Sequence, residues 1–385
     1  MSPNVVVTGH ICLDITPQFT SSELPAPGGL TLVGPAAFST GGAVSNTGMA
    51  LRRLGIATRL CAKVGDDRFG QHVLDLLEKQ SPGSGEGISV SPGETTSYSV
   101  VLSPAGKDRA FLHCPGANQS FGSDDVTTSL LSQADLLHLG YPSIMRRMYA
   151  NMGQELVEVF RRAKSAGIAT SLDLCVIDPD SESGRANWAD ILSAVLPFVD
   201  VFLPSADDLL SVWNLSRDRR DRAEQPPGIA ELAALAGQAI AAGARVVVLK
   251  AGRRGIYLRS GSRAGEIWSE RGGPRDHSAW TCRELWSSPF VPERVETTTG
   301  AGDAAVAGFL AALLYGGDPV LALRMACAAG ACAVEETDAT SGVRSWNETL
   351  ERVRSGWKQL ALEPGAPSWR WDAGNCVWWG PNDAR

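Results

Sequence analysis

From residue 124 onward, short apolar runs alternate with longer stretches whose apolar positions recur at helical spacing. The runs at 136–139, 170–174, 199–203 and 246–249 read as strands. Between and around them, 148–166 (closed by Gly167), 188–196 and 229–242 read as helices. The first part of the chain follows the same logic: a strand at 5–9, a helix at 43–54 closed by Gly55, a strand at 60–64 and a helix at 66–79. Strands that are apolar throughout belong in a sheet covered on both faces. The expected class is therefore α/β, a doubly wound and mostly parallel sheet, with ligands beyond the carboxyl ends of its strands.

Two segments stand outside this rhythm, 12–35 and 95–115. The second alternates over 95–102 and 109–113 around Pro104-Ala105-Gly106, the mark of a hairpin. Together they are expected to form a small β lid. Residues 261–290, with Trp268, Trp280 and Trp286 among glycines and arginines, read as an irregular excursion near the nucleotide side. The chain is divided into a body, 1–363, and a tail, 364–385, which holds Trp369, Trp371, Trp378 and Trp379. Aromatic density of that kind points to docking on the body or a partner, the alternative being a stacking platform for a sugar or base.

The composition, 44% apolar and 20% charged, supplies a large core. Net charge is −7, and the longest basic cluster, 217–222, alternates with aspartates like a solvated loop. Nucleic acid and anionic membranes are thus disfavoured as main partners. None of the eight cysteines forms a C-x-x-C pair, which argues against a zinc knuckle or a thioredoxin motif and fits a reducing cytoplasm. The first residues lack a signal-peptide pattern, and no apolar run approaches a membrane span.

The chemistry concentrates at Thr297-Thr298-Thr299-Gly300-Ala301-Gly302-Asp303, followed at once by an apolar run of helical length. Glycines opening a helix present unpaired N–H groups and a partial positive charge, an anion site. Asp303 inside it reads as a base that accepts a hydroxyl proton while the amides hold a phosphoryl group. The same letters fit the loose dinucleotide pattern G-x-G-x-x-G/A, but the chain beyond continues helix after helix without a second strand. A structural glycine turn is the plainest alternative. Three further pieces suit a phosphotransferase. Asp14 follows the first strand, where a carboxylate binds hydroxyls. Gly41-Gly42 opens a helix that carries Asn46, able to donate and accept. Lys250-Ala251-Gly252-Arg253-Arg254-Gly255 ends a strand with a glycine turn suited to a nucleotide.

These residues resemble the PfkB family of carbohydrate kinases, with the ribokinase-like fold. The match lies at both family signatures: Gly41-Gly42 through Asn46 to Leu54-Gly55, and Thr298 to Asp303 with Gly308-Phe309-Leu310. Gly65 to Gly70 and Gly116-Ala117-Asn118 extend it over roughly 4–345. The resemblance implies Asp303 as the base and Gly300, Ala301 and Gly302 as the anion hole. It implies Asp14, Gly41, Gly42, Asn46 and Asn118 at the substrate, and Ser205, Lys250, Gly252, Gly255 and Thr299 along ATP. Asp208 would stand near magnesium, and the lid would form a homodimer interface.

The chain departs from the family at several places. Ser205-Ala206-Asp207-Asp208 replaces the usual Asn-x-x-Glu. Thr297 replaces an aspartate that helps bind a monovalent cation, so activation by potassium is not supported. Ala43 and Gly140 replace a Lys and a Glu of ribokinase, so ribose is not supported, and His138 to Pro142 is expected to shape a different pocket. The acidic run 335–338 has no ready explanation. The expected activity is ATP-dependent phosphorylation of a primary alcohol on a small sugar. A nucleoside kinase, with Phe38, Phe111 or Tyr98 stacking on a base, and a non-catalytic sugar sensor are the alternatives.

Overall fold

The computed structural model describes residues 3–24, 27–104, 109–213, 227–266 and 276–383. The 217–222 cluster, Trp268 and part of the 104–106 turn lie outside them. Seven strands run parallel in the order β5-β4-β1-β8-β9-β10-β11. They are β1 (Asn4–Gly9), β4 (Ala57–Gly65), β5 (Ile88–Ser91), β8 (Leu136–Gly140), β9 (Ala169–Asp173), β10 (Val201–Phe202) and β11 (Val246–Lys250). Then β12 (Ile256–Ser260), β13 (Glu284–Ser287), β15 (Val377–Trp379) and β14 (Arg370–Asp372) continue the sheet antiparallel.

Eleven helices are named here: α1 (Ala43–Arg53), α2 (Arg68–Gln80), α3 (Thr128–Ser132), α4 (Arg146–Tyr149), α5 (Gln154–Ser165), α6 (Trp188–Val195), α7 (Ala206–Val212), α8 (Ile229–Ala241), α9 (Ala301–Leu314), α10 (Pro319–Ala333) and α11 (Trp346–Arg354). They cover both faces of the sheet. Val5 and Val7 of β1 turn to the core shared with α1, α9 and α10, while Val6 turns to the core shared with α5, α6 and α8. Strand β11 splits its side chains likewise, Val246 and Val248 against Val247 and Leu249. Two-sided burial is why these strands carry no polar alternation.

A second sheet, ordered β3-β2-β6-β7, is the lid. Its strands are β2 (Cys12–Phe19), β3 (Val33–Gly41), β6 (Tyr98–Leu102) and β7 (Ala110–Cys114). Register sets Ser39, Asp14, Ser99 and His113 opposite one another in a row across all four strands. With side chains alternating along each strand, that row lies on one face of the lid.

Three expectations are corrected. The 148–166 helix is two helices, α4 and α5, separated by Asn151 (φ 48°), Met152 (φ 56°) and Gly153 (φ 73°) in left-handed conformation. The apolar spacing continues through a break that the backbone does not. The 199–203 strand is regular only over Val201–Phe202, with one further backbone bond at each end, Val246 N–H to the Asp200 carbonyl and Leu203 N–H to the Leu172 carbonyl, both at 2.9 Å. Within the described part of 261–290, Glu284–Ser287 is a strand of the main sheet, and Trp280 and Trp286 are fully buried. Trp286 is seated by its indole N–H, which donates to the Arg254 carbonyl at 2.7 Å. The tail docks: β15 pairs with β13, Trp369 and Trp379 are 8% exposed, and the Arg283 guanidinium lies over the Trp379 ring.

Candidate active site

Four strands of the parallel sheet end beside one another. Gly9 is in register with Gly140, and Gly140 with Asp173, while Ser205 bridges Lys250. Asp173 and Lys250 therefore stand at the carboxyl edge where such sheets bind ligands. The Lys250 Nζ donates to Asp173 Oδ2 at 2.6 Å, with the carboxylate almost wholly buried. Burial pushes Asp173 up to about 7, against the pull of Lys250 and with a further push from Asp303 and Asp208. The sequence reading left Asp173 unremarked. The available signal was a carboxylate at the carboxyl end of a predicted parallel strand.

Facing this edge is the N-terminus of α9. Gly300 has φ 75°, and a Cβ there would stand 2.5 Å from the Ala339 methyl, so only glycine fits. The first intrahelical bond runs from Ala304 N–H to the Gly300 carbonyl. Of the amides that precede it, Ala301 N–H donates back to the Thr298 carbonyl at 3.4 Å, and those of Gly302 and Asp303 are directed out of the first turn. Gly302 lies close to the Lys250 side chain: a Cβ there would be 3.8 Å from its Cδ and Cε. Thus the anion loop and the lysine meet over one small volume.

Asp303 is 4% exposed and receives three donors. Asn46 Nδ2 donates to Oδ2 at 3.0 Å, Thr47 Oγ1 to Oδ1 at 3.3 Å, and the Tyr141 phenol to Oδ1 at 2.7 Å. Asn46 and Thr47 come from α1, which packs on α9. The Asn46 Oδ1 is buried and has no partner among the described residues, which leaves an acceptor directed to a ligand hydroxyl.

The Gly41-Gly42 pair admits groups of the chain itself. A Cβ on Gly41 would lie 2.2 Å from Asp14 Oδ2, and one on Gly42, at φ 86°, would lie 2.5 Å from His10 Nδ1. Asp14 accepts from the Cys12 thiol at 3.3 Å. Burial pushes Asp14 up to about 6, opposed by the Cys12 and Ser99 hydrogen bonds and by Arg109, with a small further push from Asp303. Arg109, from the lid, also donates to Thr298 Oγ1 at 3.0 Å, which ties the lid to the anion loop.

The remaining expected residues divide. Ser205 caps α7, its Oγ accepting from Asp208 N–H at 3.0 Å. Asp208 is 6% exposed, and burial pushes it up to about 6 while the Ser205 hydrogen bond and Lys250 hold it down. Thr299 Oγ1 accepts from the Thr297 hydroxyl at 3.0 Å. Gly252 (φ 52°) is open to solvent-side approach, whereas Gly255 (φ 82°) is packed so that a Cβ would strike the Ser287 carbonyl. Asn118 is placed apart from the other expected residues, against the backbone. It is fully buried, and its amide donates to and accepts from the Ile11 backbone at 2.8 and 3.3 Å. Its polar atoms serve the β1–β2 connection. Of the aromatic candidates for base stacking, Phe38 packs edge-on to His72 and Tyr98 to Phe69, both on α2. Phe111 alone shares the face of the Asp14 row. The acidic run 335–338 is accounted for by partners: Glu335 accepts from Arg352 and Arg344, Glu336 from Arg294, and Asp338 from the Thr340 and Ser341 amides.

A carboxylate lodged among helix amides, with hydroxyl-reading groups on one side and a lysine on the other, is the equipment of an enzyme that phosphorylates an alcohol. The pfkB family carbohydrate kinase profile matches residues 2–346, and the chain belongs to that family. It is 29% identical over 343 residues to the 2-dehydro-3-deoxygluconokinase of Thermoproteus tenax, covering 87% of this chain and 89% of that one. It is 26% identical over 357 residues to the fructokinase of Vibrio alginolyticus, covering 91% and 98%. Its fold matches that of Arabidopsis thaliana ribokinase complexed with ribose and ATP, at 20% identity and a TM-score of 0.68, covering 92% and 99%. Among the described residues no helix is long and apolar enough to cross a membrane.

Proposed function

We propose that this carbohydrate kinase transfers the γ-phosphoryl group of ATP to a primary hydroxyl of a small sugar, with Asp303 as the base. The observation that carries the reading is Asp303 in the first turn of α9, fixed by Asn46, whose unpartnered Oδ1 stands ready for a hydroxyl. The alcohol gives its proton to the Asp303 carboxylate as its oxygen bonds to the γ-phosphorus, and the bond to ADP breaks. The amides of Gly302 and Asp303 hold the charge on the transferred group. Asp14, Gly42 and Asn46 bind the sugar hydroxyls. Lys250, Ser205, Thr299 and the Gly252–Gly255 turn bind ATP.

The residues present fit magnesium held mainly by ATP. Among the described residues no cluster of three or more ligating side chains exists, and Asp208 is a single nearly buried carboxylate at the phosphate side. Magnesium takes few protein ligands where phosphates and water supply the rest. Bound there, it would neutralise phosphate charge. The eight free thiols support a reducing cytoplasm.

The lid exposes Leu30, Leu32, Phe111 and Leu112 at 89%, 78%, 54% and 60%, which supports a homodimer formed through this sheet. The decisive experiment is ADP release from MgATP over a panel that includes fructose, 2-dehydro-3-deoxygluconate, ribose and inosine. Turnover of one sugar, lost about 10²- to 10⁴-fold in Asp303→Asn, is the expected result. Equal turnover by that variant would refute the base assignment.

A further inference from the structure

The third donor on Asp303 is unlike the other two. Asn46 and Thr47 reach the carboxylate from α1, the helix packed against α9. Tyr141 reaches it from the end of β8, on the sugar side. Its ring lies 6.2 Å from that of His10, and His10 sits against Gly42. The phenol–carboxylate bond, 2.7 Å, is the shortest of the three.

The backbone that delivers this phenol is strained. Tyr141 has φ 65° and ψ 42°, a left-handed conformation that a bulky side chain rarely adopts. It also precedes Pro142, and residues before proline favour extended conformations. The surroundings hold it there: Tyr141 N–H donates to the Asp173 carbonyl at 3.2 Å. Strain of this kind persists where neighbouring structure over-determines it, and it clusters at functional sites. Burial, with Asp303 and Asp173 beside it, raises the phenol well above its ordinary value, so it remains a donor.

An ionised carboxylate offers about four acceptor positions, two on each oxygen. Thr47 and Tyr141 fill those of Oδ1. We propose that Tyr141 is a stand-in for the substrate: in the empty enzyme its hydroxyl occupies the place on Asp303 Oδ1 that the acceptor alcohol takes when bound. The phenol keeps water off the base until sugar displaces it. The inference rests on Asp303 being the base and adds how that base is silenced. Without the phenolic oxygen, the space left on Oδ1 is the size of one water. A water held there gives its proton to Asp303 as its oxygen bonds to the γ-phosphorus of ATP. ADP leaves, and the enzyme hydrolyses ATP without sugar.

The test is ATP hydrolysis with MgATP and no acceptor, comparing wild type, Tyr141→Phe and Tyr141→Phe/Asp303→Asn. Tyr141→Phe should raise hydrolysis about tenfold or more, the weight of one hydrogen bond to a charged group. The double variant should return it to the wild-type background. Hydrolysis unchanged or lowered in Tyr141→Phe would overturn the proposal and leave the base assignment standing. A rise that survives Asp303→Asn would instead overturn the base. Near-ultraviolet circular dichroism checks folding. Should Tyr141→Phe fail it, Tyr141→Asn tolerates the left-handed backbone, is too short to reach Asp303, and carries the same expectations.

Discussion

Asp14 offers a measurable opposition between function and stability. Its carboxylate is held within the lid's polar row, above Gly41, and burial pushes it from an ordinary 3.8 up to about 6. The folded enzyme therefore binds this proton more tightly than the unfolded chain does. Ionising the group in place opposes folding. The penalty is absent below pH 3.8, grows as pH rises, and is complete above about pH 6. The span from 3.8 to about 6 corresponds to about 3 kcal/mol at pH 8, and about 1 kcal/mol at pH 4.5. Asp14→Asn removes the charge and keeps an oxygen to accept the Cys12 thiol. The variant should thus be more stable than wild type by up to about 3 kcal/mol at pH 8 and by only about 1 kcal/mol at pH 4.5. Thermal unfolding of both proteins at the two pH values reads the difference, because every other titrating group is common to the pair. The Michaelis constant for the sugar should rise in the same variant, since the removed charge is the one proposed to bind hydroxyls. A stability gain equal at both pH values, or a loss that deepens with pH, would refute the claim that this carboxylate is ionised against its surroundings.

Lys250→Met leaves Asp173 buried without its cation. It should destabilise the fold by about 3–5 kcal/mol where the carboxylate is ionised, less below pH 7 where it takes a proton, and should raise the Michaelis constant for ATP; thermal melts across pH and steady-state kinetics test both. Leu112→Asp, on the exposed lid, should shift sedimentation from dimer to monomer at micromolar protein, and a wild type that sediments as monomer would refute the lid interface.

The sequence disclosed the architecture because strands buried on two faces leave an apolar signature at almost every position, as in Val246–Lys250. It disclosed the anion loop because Gly300 answers to a backbone demand that no other residue meets. It is silent on features set by tertiary contact alone. The break at Asn151–Gly153 lies inside continuous apolar spacing. Asn118 has the letters of a hydroxyl reader, yet only the fold reveals the Ile11 backbone against its amide. Asp173 and Tyr141 lie 130 and 162 residues from Asp303 by position, and nothing local announces that they converge on it.

The distribution of charge explains why convergence matters. Asp14, Asp173 and Asp208 are all raised by burial, and Lys250 is committed to Asp173. A site so furnished is poorly suited to stay empty: several carboxylates lie close together, partly protonated or paired within the protein. In the proposed mode, ATP phosphates entering over Gly302 would bring negative charge toward the lysine and draw Lys250 from Asp173 toward the nucleotide. Asp173 is then left to take up a proton or to face a cation that accompanies the phosphates. On the other side, a sugar hydroxyl replaces the Tyr141 phenol on Asp303. Both proposed rearrangements exchange an internal partner for a substrate, ATP driving the first and the sugar the second, and only the second uncovers the base. That logic suits a kinase whose principal hazard is water, because ATP alone completes only the nucleotide half and leaves the base covered.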